Sequence, residues 1–216
     1  MPDIRKAKPE NCDAAKDIRY LRYLLEEFGH LPLGERCSQL EHARQCAALA
    51  QAEGAARPLV CAAFLHDIGH LQALHLLLPG TDDEGHRDHD RIGAQLLCQL
   101  GFSESVFVPV AKHVEAKRFL AACDGDYIQH LSPASKRSLQ LQGDTMSSAE
   151  RSRFLLGTYA QDAIALRLWD EAGKCDSKAI AEMDYWLDLC ELELTAGIAA
   201  KQLPQNITST SLESNG

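Results

Sequence analysis

Residues 59–65 read Leu-Val-Cys-Ala-Ala-Phe-Leu without a polar interruption, and His66-Asp67 follows at once. A helix that is apolar on every face must be enclosed on every side. The segment therefore predicts a central helix wrapped by others, with the His-Asp pair carried into the interior at its end. A buried imidazole beside a buried carboxylate is costly unless each has a partner or a metal ion. Further polar groups must surround this one point. Adjacent helical residues diverge by about 100°, so the pair can serve two neighbouring metals and the carboxylate can bridge them. Gly69 allows the chain to turn just beyond.

Elsewhere apolar residues recur at three- and four-residue steps. Ile18, Leu21, Leu24, Leu25 and Phe28 predict a helix over about 12–28, stopped near Gly29. A Pro/Gly loop leads into a second helix marked by Leu40, Ala43, Ala47 and Ala50, ending by Gly54. Pro58 suits the first turn of the central helix, read as one helix over 59–70. A polar loop over 79–87 precedes a helix over about 88–100, closed by Gly101, and another covers about 103–122. Asp124-Gly125-Asp126 reads as a loop, with a short helix after Ser132-Pro133. Ser147 with Glu150 fits a capping box. Helices over 158–173 and about 177–198 complete the set, the last carrying Ile180, Met183, Leu187, Cys190 and Leu194. There is no convincing strand alternation, internal repeat or phosphate-cradling glycine loop. The expected fold class is all-α, a single-domain helical bundle over 12–199. A polar N-terminal extension, 1–11, and a Ser/Thr/Asn-rich tail, 200–216, expected to be disordered, flank it.

With 216 residues, 45% of them hydrophobic, the chain suits one good-sized core. A net charge of -9 argues against nucleic acid as a partner. No apolar run approaches the length of a membrane span, and no apolar leader is evident. Eight cysteines without a CxxC read as reduced residues. The expected location is cytoplasmic, with no membrane or nucleic-acid partner.

His42, His89 and His113 join His66-Asp67 as candidates, each on a different predicted helix. A lone helix histidine is ordinarily a satisfied core or surface residue. Four on successive helices make a shared metal site the simpler reading. His86 competes with His89, and His30, His75 and His130 carry no assigned role. Imidazole and carboxylate ligands suit iron, manganese or zinc better than magnesium alone.

His42…His66-Asp67…Asp170 is the H…HD…D pattern of the HD superfamily, mostly metal-dependent phosphohydrolases; two added histidines typify its two-metal members. Ser38-Gln-Leu-Glu-His42, His113-Val-Glu-Ala-Lys117-Arg-Phe, Leu131-Ser-Pro-Ala-Ser135, Leu139-Gln-Leu-Gln-Gly143 and Leu166-Arg-Leu-Trp-Asp170-Glu-Ala-Gly-Lys174 narrow the likeness. Over roughly 35–175 the chain resembles the PhnZ-like phosphonate-degrading oxygenases, mixed-valent di-iron enzymes related to myo-inositol oxygenase.

The resemblance implies two iron ions as Fe(II)/Fe(III), O2 as co-substrate, and a small 1-hydroxyalkylphosphonate cleaved to a carboxylic acid and phosphate. It implies His42, His66, Asp67, His89, His113 and Asp170 as ligands, with Asp67 bridging and Asp162 the second candidate for the last position. Lys117 shares a helix face with His113, and Arg167 and Lys174 flank Asp170. With Ser135 they form the implied phosphonate clamp. Without the resemblance they read as surface ion pairs and a helix-start hydroxyl. His70 is placed to bond substrate, move a proton or support a ligand. Glu35 is placed to face a substrate ammonium or gate the metal. Two departures bear on the substrate. No tyrosine precedes Gly34-Glu35, and Gly143-Asp144-Thr145-Met146 replaces a Gly-Gly-Pro-Met type of ending. A free amine and the trimethylammonium of the TmpB-like branch, giving glycine or glycine betaine, both stay open. No clear aromatic cage is visible for the latter. A two-metal HD phosphohydrolase, acting on a phosphate ester or nucleotide, and a non-catalytic binding module are the rival classes.

Overall fold

The computed structural model describes residues 13–33, 36–174 and 180–202, with side chains through residue 197. Glu35, the N-terminal extension and most of the expected tail lie outside them. The helices are α1 (Ala14–Phe28), α2 (Gln39–Ala52), α3 (Arg57–Leu65), α4 (Ile68–His75), α5 (His89–Gln99) and α6 (Glu104–Cys123). They continue with α7 (Gly125–His130), α8 (Pro133–Leu141), α9 (Ser148–Leu155), α10 (Ala160–Ala172) and α11 (Met183–Gln202). The fold is all-α, as expected. α11 continues into the first residues of the segment read as tail.

Local chemistry sets the helix starts. Asp13 caps α1 by accepting from the Lys16 N–H. Ser38 with Glu41, and Ser147 with Glu150, form reciprocal capping boxes on α2 and α9. Pro58 stands in the first turn of α3.

α3 is the axis of the molecule. Val60, Cys61, Ala62, Ala63, Phe64 and Leu65 are all buried, packed by α2, α6, α10 and α11. Phe64 stacks on Trp186 of α11 at 6.3 Å. Each such large apolar side chain contributes about 1.5–3 kcal/mol on burial, which offsets the cost of the polar cluster at the end of the same helix. α6, flanked by α5 and α10, forms the adjoining wall. No described helix is long and apolar enough to cross a membrane. The thiols of Cys46, Cys61 and Cys190 are buried and unbridged.

The helix expected over 59–70 is two helices. α3 stops at Leu65 and α4 begins at Ile68, with Asp67 at φ -99°, ψ 7° between them. The break lets α4 lean on α5 at two glycines. A Cβ on Gly69 would stand 1.9 Å from the His89 carbonyl oxygen and 2.6 Å from the Gly93 nitrogen. The loop expected over 79–87 contains a two-stranded hairpin, β1 (Thr81–Asp82) and β2 (Gly85–His86). Its strands are too short for alternation to show. α7 forms where a loop was expected, capped by Asp124 accepting from the Asp126 N–H.

Candidate metal centre and anion pocket

Four imidazoles are oriented by backbone carbonyls. The Nδ1–H groups of His66, His89 and His113 donate to the carbonyls of Ala63, His86 and Val110, at 2.9, 3.0 and 2.7 Å. Each acceptor lies three residues earlier in the chain. His42 Nδ1–H donates to Gly173 O at 3.2 Å, across from α2 to the end of α10. Every ring therefore presents Nε2 inward.

The Nε2 atoms converge in two pairs. His42 and His66 are 3.2 Å apart, and His89 and His113 are 3.0 Å apart. Asp67 lies between the pairs. Its Oδ2 is 3.3 Å from His66 Nε2 and 3.7 Å from His42 Nε2. Its Oδ1 is 3.4 Å from His89 Nε2 and 3.7 Å from His113 Nε2. Asp170 Oδ1 completes the first pair, 3.3 Å from His42 Nε2 and 3.8 Å from His66 Nε2. Ligands about 2.1 Å from one ion and at right angles lie about 3 Å apart. The first set could hold one metal by His42, His66, Asp67 and Asp170, and the second another by Asp67, His89 and His113. Cys46 also borders the first pair. Its Sγ–H donates to Trp169 O at 3.5 Å, and burial pushes the thiol well above its usual range, so it is a poor ligand there.

The charges agree with a cation-binding centre. Burial opposes the charge on Asp67, but the neighbouring imidazoles, His66 foremost and then His89, together outweigh it and hold the carboxyl well below its usual range. Burial likewise opposes the charge on Asp170, and Arg167 and Lys174 outweigh it. Burial disfavours a charged His66, yet Asp67 and Asp170 raise it to about 9. Burial, with His89 and His66 adding to it, lowers His113 to about 3. One imidazole thus takes a proton where a bound metal would displace it.

A cavity of about 190 Å³ opens over these groups. One wall is cationic. Lys117, a turn after His113 on α6, donates to Ser138 Oγ at 2.8 Å. Lys174 donates to Ser135 Oγ at 2.8 Å, and Arg167 donates to the same oxygen at 3.2 Å. Arg167 also pairs with Asp170 and Glu171, and its Nε donates to Tyr127 Oη at 2.8 Å. Glu171 accepts from the Ser132 N–H at 2.8 Å and from Ser135 Oγ at 3.2 Å, which ties α8 to α10. Burial foremost, with Arg167 adding repulsion, lowers Lys117 to about 7.

All six expected ligands meet at this centre, and the four expected clamp residues line the cavity beside it. Asp170, not Asp162, is the aspartate at the centre; Asp162 sits half-buried in the first turn of α10. His89, not His86, faces the pair. His86 Nδ1 accepts from the Asp88 N–H at 3.1 Å, and its Nε2–H donates to Pro79 O at 3.3 Å, so both nitrogens are taken. His70 lines the cavity, stacked on His89 with ring centroids 3.9 Å apart. Its Nδ1 accepts from the His86 N–H at 2.9 Å, which leaves Nε2 to carry the hydrogen. His70 is thereby a donor rather than a base, and burial, then His89, keeps it neutral. Ser138, Glu171, Tyr127 and Gln39 escaped the sequence reading. The available signals were weak: Ser138 falls three after Ser135, and Glu171 four after Arg167.

An all-helical bundle that gathers four histidines and two aspartates, the HD pair among them, defines an HD-domain protein with a candidate metal site. Residues 40–140 match the HD domain family. The chain belongs, more narrowly, to the PhnZ-like family of HD-domain oxygenases. It is 36% identical over 165 residues to a hydroxymethylphosphonate dioxygenase of Gimesia maris, covering 74% of this chain and 79% of that protein. It is 38% identical over 187 residues to a [1-hydroxy-2-(trimethylamino)ethyl]phosphonate dioxygenase (glycine-betaine-forming) of Leisingera caerulea, covering 86% and 90%.

Proposed function

We propose that this chain is a cytoplasmic di-iron oxygenase, mixed-valent Fe(II)/Fe(III), that cleaves the carbon–phosphorus bond of a small 1-hydroxyalkylphosphonate. The observation that carries the reading is Asp67, with one oxygen turned to each histidine pair beside a wall of three cations. The balance is R–CH(OH)–PO3H2 + O2 → R–COOH + H3PO4. C1 loses its hydrogen and its phosphorus and gives up four electrons, which O2 takes up. Both oxygen atoms end in the products.

Iron, when bound by His42, His66, Asp67, His89, His113 and Asp170, supplies the oxidising power. The chain's own groups bind and orient. Lys117, Arg167 and Lys174 neutralise the phosphonate, and Ser135 fixes two of them in place. The neutral Nε2–H of His70 donates to the substrate. Glu35, outside the described residues and two after cavity-lining Leu33 in the sequence, faces a substrate substituent in this reading. The buried surroundings strengthen each charge contact by excluding water.

The test is phosphate release from 1-hydroxy-2-aminoethylphosphonate, its N-trimethyl form and hydroxymethylphosphonate by anaerobically iron-loaded, partly oxidised protein. Release that requires O2, in step with its consumption, is the expected result. Release that ignores O2 would mean a hydrolase built on the same ligands.

A further inference from the structure

Gln39 stands three residues before His42, on the same face of α2 and one turn nearer its start. Its side chain is 95% buried, being 5% exposed, and it lines the cavity. Its Oε1 is buried and meets no hydrogen-bond donor among the described residues. Such an orphaned acceptor is rare in a folded protein and costly to maintain. The terminal amide bond of glutamine rotates over a broad, two-fold profile, so the oxygen can turn towards whichever side supplies a donor. No described protein group supplies one, and the open volume beside the residue is the cavity.

The lining of the cavity adds a second constraint. It contains no phenylalanine, tyrosine or tryptophan, and the undescribed residues contain none either. A quaternary ammonium has no N–H to offer an amide oxygen and is held best by aromatic faces. A primary ammonium offers three N–H donors and gains a charge-assisted bond from a carbonyl-type acceptor.

Resting on the phosphonate-oxygenase reading, we propose that Gln39 is a specificity residue. Its amide oxygen accepts from a primary ammonium on the carbon next to C1, and the pocket thereby selects a 2-amino-1-hydroxyalkylphosphonate over its trimethylammonium counterpart. The phosphonate lies on the Lys117–Arg167–Lys174 wall, and the amine turns to the α2 side beside His42.

Equilibrium binding by calorimetry, on iron-loaded protein without O2, tests this with three probes: 1-hydroxy-2-aminoethylphosphonate, its N-trimethyl form and hydroxymethylphosphonate. The native protein is expected to bind the primary amine at least about tenfold more tightly than the trimethyl compound. Gln39→Met, close in volume, is expected to remove about that tenfold from the primary amine and to leave hydroxymethylphosphonate within about twofold. Gln39→Glu, which adds charge at the same place, is expected to widen the preference for the amine. Iron content and a thermal melt establish that each variant is folded. Equal native affinity for the two amines, or a uniform loss on all three probes in Gln39→Met, would overturn the role of Gln39 and leave phosphonate binding standing. Failure of all three probes to bind the native protein would instead sink the phosphonate reading, and this inference with it.

Discussion

Replacing Lys117 by Met should make the metal-free protein more stable while disabling it. Lys117 is 4% exposed, and its ammonium is depressed from 10.5 to about 7 by burial and by Arg167. At about 1.4 kcal/mol per pKa unit, keeping that charge in the fold costs about 5 kcal/mol in acid. The hydrogen bond to Ser138 Oγ returns about 2 kcal/mol. The net gain expected for Lys117→Met at pH 6.5 is therefore about 3 kcal/mol. The sign follows from proton counting. Between about pH 7 and 10.5 the folded protein holds less proton on Lys117 than the unfolded chain does, so native stability rises with pH across that window. The advantage of the variant should accordingly shrink towards zero by about pH 9.5. Urea unfolding of both proteins at the two pH values measures this. A variant less stable than native at pH 6.5, or a difference that ignores pH, would refute the account of Lys117 as a buried charge kept for an anion. Phosphate release by the iron-loaded variant should fall by at least about a hundredfold, through the lost contact to the phosphonate.

Gly69→Ala should separate α4 from α5, because the new methyl would run into the α5 backbone at His89 and Gly93; a loss of about 3 kcal/mol in stability and of one equivalent of iron is expected, read by melting and metal analysis. Glu171→Gln should raise KM for the phosphonate about tenfold with metal content unchanged, since Glu171 orders Arg167 and Ser135 and lies outside the ligand set. Loss of iron in that variant would show instead that Glu171 supports the centre. His89→Ala should halve the bound iron, whereas His86→Gln should keep both equivalents, because His86 spends its two nitrogens on Pro79 and Asp88; the reverse outcome would exchange their roles.

What could be read from the chain, and what could not, divides by the range of the interactions. The uniform apolarity of residues 59–65 is local and announced the central helix. Its break at His66-Asp67 could not be seen there, because it depends on Gly69 meeting Gly93 and the His89 carbonyl on another helix. The ligand types were visible as residue letters. The choice between His86 and His89 was not, since it turns on where four ring nitrogens point after a two-strand hairpin has formed. Glu171 was passed over because a carboxylate beside a ligand looks like a solvated neighbour until α8 is folded against it. Gln39 stood within the Ser38-Gln-Leu-Glu-His42 stretch but drew no role there, as an unsatisfied amide oxygen exists only in three dimensions.

The two halves of the site differ in how they can change over evolutionary time. The imidazoles are aligned by main-chain carbonyls, three of them one turn back on the same chain. No codon specifies those acceptors, so almost no single substitution short of a helix breaker can take them away. The cations of the opposite wall are aligned by the side chains of Glu171, Tyr127, Ser135 and Ser138, every one of which mutation can reach. A lineage built this way can hold its reactive centre constant through long sequence drift while retuning, one residue at a time, the molecule it grips.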